Sequence, residues 1–335
     1  MKLDIYNHVW PPLFVEHLRR GGSEHPLLKR VLKFQNLYDM DARRRLMDRY
    51  DGYCQVLSMA GPPIEDFGPP DKSPEFARVA NDGMAELCRR YPDRFPGFIA
   101  SLPMNNPQAA VTEIGRAIDE LGACGVQIFS NVLGRPLDEP EFFPIFEATA
   151  ARDLPIWLHP IRSASFADYP TETKSKYEIW FMFGWPYETS AAMARLVFSG
   201  LFDKLPDIKV IAHHMGAMLP FFAERLSTGY DELGSRSPGE GYEALLASMK
   251  KRPVDYFRMF HADTALFGAR AATLCGLDFF GADQCLFATD FPFDPEGGEL
   301  FVRDTIRVLD SLAIPETDRG KLYQANARRL LKLSC

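Results

Sequence analysis

Short apolar runs recur along the chain, separated by segments of helical periodicity. The runs are Lys2–Tyr6, Cys54–Met59, Phe98–Leu102, Gly125–Ser130, Pro155–His159, Lys209–His214 and Cys285–Asp290. Between them, Pro74–Tyr91 carries Phe76, Val79, Ala80, Met84, Leu87 and Cys88 on one stripe. Pro107–Leu121 does the same with Ala110, Ile114, Ala117, Ile118 and Leu121, and Glu141–Arg152 and Glu188–Phe198 repeat the pattern. Apolar positions three and four apart form one face of a helix, whereas a short bounded apolar run suits a strand buried on both faces. Strands alternating with helices imply βαβ units and a parallel sheet. The seven runs, with an eighth strand expected near Phe257–Asp263, predict an α/β fold of the distorted eightfold β/α (TIM) barrel type. An open doubly wound sheet competes with it, but no glycine-rich phosphate loop follows any run.

No linker is long or polar enough to split the chain, so residues 1–335 read as one barrel domain. Its expected loop insertions lie near 18–41, 60–72 and 161–185. Loops that follow barrel strands build the active-site face, which makes these three candidate lids or subunit contacts.

Composition narrows the function classes. Hydrophobic residues make up 46% of the chain and aromatics 13%, enough for a sizeable core. A net charge of −7 with scattered Lys and Arg gives no basic stripe, so nucleic acid is not an expected partner. No window approaches the roughly 18–20 apolar residues of a membrane span, and no secretory signal is visible. None of Cys54, Cys88, Cys124, Cys275, Cys285 and Cys335 forms a CxxC pair. They read as reduced thiols of a cytoplasmic protein.

Five polar residues punctuate the predicted strand ends. His8 ends the first run, His159 the fifth, His213 and His214 the sixth, and Asp290 the last. Strand ends of a barrel converge on one small volume, and imidazoles with a carboxylate suit a divalent metal such as zinc. Taken singly, a strand-end His is ordinarily a hydrogen-bonded rim residue and Asp290 a turn cap. The signal lies in the repetition. Side chains alternate along a strand, so Tyr6 and His8 are expected on one face with Asn7 turned away. By the same rule only one of His213 and His214 is expected to face the barrel.

The chain resembles the amidohydrolase-related decarboxylases, among them aminocarboxymuconate-semialdehyde decarboxylase and γ-resorcylate decarboxylase. The resemblance rests on Asp4–Pro11, Gln55–Ser58, Tyr91–Phe95, Gly125–Ile128, Leu158–Pro160, Phe202–Ile211, His214–Gly216 with Leu219-Pro220, and Leu286–Phe293. It implies a homodimeric barrel that removes carboxyl groups from small acids with the help of one metal. The family's metal ligands fall on Tyr6, His8, His159 and Asp290, its proton-transfer His on His214, and its substrate-contacting Arg on Arg225.

Tyr6 departs from that pattern. A phenol must lose a proton, with an ordinary pKa near roughly 10, before it ligates well. Three outcomes stay open: a metal held by His8, His159 and Asp290 with His214 nearby, a phenolate ligand at Tyr6, or a metal-free site. In the first, His214 or Asp290 handles the proton of a decarboxylation on a flat carboxylic acid. Trp10, Phe181, Phe183, Trp185, Phe291 and Phe293 are candidate walls beside Tyr6, with core packing as the ordinary alternative. Arg43, Arg44 and Arg45 read as a solvated helix face. Hydrolysis or hydration by a metal-bound water competes with decarboxylation. No Lys ends the Gly125–Ser130 run to form a bridging carbamate, which favours one metal over two.

Overall fold

The computed structural model describes residues 1–20 and 33–333. Eight parallel strands follow one another around a barrel. They are β1 (Lys2–Val9), β2 (Tyr53–Met59), β3 in two segments (Gly97–Phe98 and Ala100–Ser101), and β4 (Val126–Phe129). Then come β5 (Ile156–His159), β6 (Val210–Ala212), β7 (His261–Asp263) and β8 (Cys285–Leu286). Each strand pairs in parallel with the next. The ring closes where Ile5 N donates to Phe287 O at 3.0 Å and Asp290 N to Tyr6 O at 3.0 Å. All eight expected strands are present, and the open-sheet alternative is excluded by this closure. The helical stripes also stand where the periodicity places them. Pro74–Tyr91 becomes α3 (Ser73–Arg90), following α1 (Pro12–Arg20) and α2 (Met40–Met47). Pro107–Leu121 becomes α4 (Pro107–Gly115) continued by a π turn, and Glu141–Arg152 becomes α5 (Phe143–Ala150). Glu188–Phe198 is the body of α6 (Gly184–Phe198).

Local chemistry sets several boundaries. The Asp39 carboxylate accepts from Asp41 N and Ala42 N to cap α2, and Asn106 caps α4 through Ala109 N. The expected loop near 18–41 falls partly on residues 21–32, outside the described residues; its end is ordered by α2 and a short 3-10 turn at Gln35–Leu37.

β1 carries a bulge. Asp4 pairs with Gln55 but Asn7 with Leu57, so three steps on one strand match two on the other. The polar groups freed there are satisfied. Tyr6 N donates to Asp4 Oδ1 at 3.1 Å, and the Trp157 indole donates to Ile5 O at 3.1 Å. Asn7, turned away as expected, donates to the carbonyls of Asp4 and Val56 at 3.1 and 3.0 Å. The extra residue puts Leu3, Ile5 and Tyr6 together in the interior cluster with Val56, Trp157 and Leu286.

Arg43 corrects the solvated-face expectation. It lies wholly buried on α2, behind β1. Its guanidinium donates to Gln55 Oε1 at 2.7 Å, His8 O at 2.6 Å, Asn36 O at 3.2 Å and the Asn7 side-chain carbonyl, and lies over the Phe291 ring. A rigid fork of donors matched to four acceptors is what makes so costly a burial tolerable.

Candidate metal centre

The ends of β1, β5, β6 and β8 converge. His8 Nε2 lies 2.9 Å from Asp290 Oδ1. His159 Nδ1 lies 2.6 Å from the Pro160 carbonyl. A carbonyl only accepts, so Nδ1 carries the hydrogen and Nε2 presents its lone pair. Burial holds His159 well below the usual imidazole range, helped by the neighbouring His213 and His8. Asp290 sits among three imidazoles. Its Oδ1 is also 3.5 Å from His213 Nε2, and its Oδ2 is 3.5 Å from His214 Nε2. Burial alone would raise its pKa, but His213, His214 and His8 hold it well below the usual carboxylate range.

The doublet corrects the alternation rule. β6 ends at Ala212, and His214 and Met215 take left-handed φ angles of 56° and 55°. Both imidazoles therefore turn toward Asp290, instead of one turning away. His213 is the deeper of the two and its Nδ1 lies 2.6 Å from Asp263 Oδ2. Its Nε2 is buried and makes no hydrogen bond among the described residues. Burial opposes protonation of His213, but Asp263 and Asp290 outweigh it and raise the pKa to about 9. His214 stays at the rim, with its side chain 18% exposed and its ring 5.5 Å from Phe267. Burial and the adjacent His213 lower its pKa.

Tyr6 points into the same volume. Its ring lies 4.0 Å from His213, 5.3 Å from His8 and 5.9 Å from His159. Its hydroxyl is buried and makes no hydrogen bond among the described residues. Burial, then Asp263 and Asp290, hold the phenol protonated, well above its usual pKa.

Aromatic rings surround the imidazoles. Phe129 lies 4.8 Å and Trp185 5.4 Å from His159, and Phe293 lies 5.4 Å from His8. Phe181 backs Trp185 at 4.6 Å. The other proposed walls lie elsewhere. Trp10 is wholly buried, donates to Ala60 O at 3.2 Å and packs on Phe14 and Phe67. Phe291 covers Arg43 in the core, and Phe183 is exposed at the surface. Arg225 stands exposed on α7 (Ala223–Asp231) and lines a separate groove of about 540 Å³ with Tyr187, Phe222 and Phe257. None of the clustered imidazoles lines that groove.

Sequence reasoning missed His213 as a site residue, and Asp263 and Phe129 altogether. Asp263 had a signal, since it ends the expected seventh strand. The ligand atoms of His8, His159 and His213 lie within 4.8 Å of one another, and so do those of His213, His214 and Asp290. Imidazole and carboxylate donors are those a divalent transition metal takes, and a buried ring nitrogen without a partner is a donor awaiting one. The residues therefore fit such an ion.

The fold and this donor set define a TIM-barrel protein with imidazole and carboxylate donors gathered at its strand ends. The chain belongs to the amidohydrolase family, which it matches over residues 4–333. It is 33% identical over 302 residues to γ-resorcylate decarboxylase of Rhizobium radiobacter, covering 88% of this chain and 87% of that one. It is 29% identical to 2-amino-3-carboxymuconate-6-semialdehyde decarboxylase of Dictyostelium discoideum, covering 99% of this chain and 92% of that one. The crystal structure of dihydroxybenzoic acid decarboxylase from Polaromonas sp. JS666, with bound manganese and the inhibitor 2-nitroresorcinol, superimposes with a TM-score of 0.77. That protein is 27% identical, and the match covers 100% of this chain and 97% of that one.

Proposed function

We propose that this chain is a metal-dependent decarboxylase acting on an aromatic or conjugated small carboxylic acid. The observation that carries this reading is the convergence of His8, His159, His213, His214 and Asp290 within a wall of flat rings. The activities named for its relatives support it. The cofactor is one divalent ion, held by His8, His159 and Asp290. The imidazole-rich donor set favours zinc, and the manganese of the Polaromonas structure makes that ion the second choice. When bound, the ion acts as a Lewis acid that favours an oxyanion on the substrate.

Every other step belongs to side chains. Phe129, Trp185 and Phe293 hold a planar acid in place. The Trp185 indole N–H, buried without an acceptor among the described residues, is available to a substrate oxygen. His214, at the rim, delivers a proton to the carbon that bears the carboxylate. The bond to the carboxylate then breaks, carbon dioxide leaves, and its electron pair restores the conjugated system. The balance is one carboxylate and one proton in, one carbon–hydrogen bond and carbon dioxide out. Asp290 holds His214 in place throughout.

We further read the chain as one domain, a cytoplasmic protein and a homodimer. Phe183 and Phe221 are 73% and 80% exposed and, with Tyr187, supply an apolar face beside the Arg225 groove. Arg225 makes no ion pair among the described residues and is our candidate for a substrate-carboxylate contact. Incubation with γ-resorcylate and related hydroxybenzoates tests the central reading. Carbon dioxide release without incorporation of heavy oxygen from labelled water is expected. Water incorporation without carbon dioxide would assign a hydrolase or hydratase instead.

A further inference from the structure

We propose that His213, oriented by Asp263, is a metal ligand, taking the place in the donor set that Tyr6 leaves empty. This rests on the reading that the site takes a divalent ion.

β1 aims two side chains into the site, and only one of them is an imidazole. The other is a phenol whose proton is held by burial among carboxylates. His213 fills the volume beside it, with ring centroids 4.0 Å apart. Its ligand atom lies within 4.8 Å of those of His8 and His159.

The orientation of the ring is fixed from behind. Nδ1 is 2.6 Å from Asp263 Oδ2. Asp263 is itself wholly buried and held, since its Oδ1 accepts from His214 N at 3.1 Å and Ala265 N at 3.0 Å. A carboxylate binding one imidazole nitrogen fixes the tautomer, so that the other is the donor atom for a metal. That other nitrogen, Nε2, is buried, makes no hydrogen bond among the described residues and faces the Asp290 carboxylate at 3.5 Å. The backbone cooperates. Without the left-handed turn after Ala212, adjacent histidines would diverge, and the two roles of ligand and rim residue would not fit on one strand end.

The test is binding of Co2+ alone to chelator-stripped protein, followed by visible absorption and by competition with a chromophoric chelator. His213→Ala is expected to weaken binding at least about a hundredfold and to change the absorption intensity. Asp263→Asn is expected to weaken it about tenfold to a hundredfold. The decisive variant is the double change Tyr6→His with His213→Ala, which is expected to regain most of the lost affinity. Where His213→Ala fails to fold, as judged by circular dichroism, His213→Gln replaces it. If His213→Ala and the wild type bind Co2+ alike while His159→Ala loses it, His213 is no ligand and the metal-site reading survives. If the wild type binds no Co2+, the metal-site reading itself falls, and this assignment with it.

Discussion

The indole of Trp185 meets His159 edge-on, ring centroids 5.4 Å apart, and its N–H is buried with no acceptor among the described residues. A buried donor left unpaired costs about 1–3 kcal/mol, so a ligand that accepts from it gains specificity. Trp185→Phe keeps the ring contact and removes the donor. The expected result is a KM for the carboxylate substrate raised about tenfold with kcat little changed. An unchanged KM in steady-state assays would remove Trp185 from substrate recognition.

The metal itself gives a direct check. Protein purified without chelator should carry one divalent ion per chain by elemental analysis. Stripping it should abolish carbon dioxide release, and one equivalent of added zinc or manganese should restore it. His159→Ala should neither hold the ion nor recover. Full activity in demonstrably metal-free protein would overturn the whole scheme.

Arg43 supports the site from outside the barrel. It ties together Gln55, Asn36 and Asn7 and holds the carbonyl of His8. Burial lowers its pKa to about 10, which still leaves it charged at neutral pH. Arg43→Met strands several buried acceptors. A loss of about 3–5 kcal/mol is expected in urea unfolding, larger than for any surface Arg.

Glu65 makes stability depend on pH. It lies buried in the 60–72 loop, and burial raises its pKa to about 8. The unfolded value is near roughly 4.3, so the folded value is the higher one. Its stabilising contribution is then complete below the unfolded pKa and is lost as pH rises through the folded one. Glu65→Gln stays neutral throughout. The stability advantage of that variant in urea unfolding should grow between about pH 5 and pH 8 and level off above, reaching a few kcal/mol in order of magnitude. A gap that does not change with pH would show that burial does not raise the carboxyl's pKa above its unfolded value.

What the sequence made legible follows from which forces are local. Strands and helices were readable because buried runs and stripes repeat at fixed periods, and His8, His159 and Asp290 because strand ends share one rim. The misreadings come from departures from period. Alternation allowed only one of His213 and His214 into the barrel because it assumes extended backbone, and β6 stops at Ala212. Arg43 read as solvated because charge is a poor guide to burial where four acceptors happen to converge. Trp10 and Phe291 follow site residues in sequence, yet their rings turn into the core. Proximity along the chain says little about which way a bulky ring points.

The bulge in β1 makes the site a matter of counting. Side chains beyond Asn7 owe their inward aim to one supernumerary residue, so the strand has a parity as a message has a reading frame. Losing Ile5 would leave every amino acid of the site present, with the barrel's first strand still apolar. Yet it would exchange Asn7 for His8 at the rim. Substitutions in this stretch alter one contact each, whereas an indel rewrites the whole mouth. A chain of this family that differs by one residue there should therefore be judged by its phase before its composition.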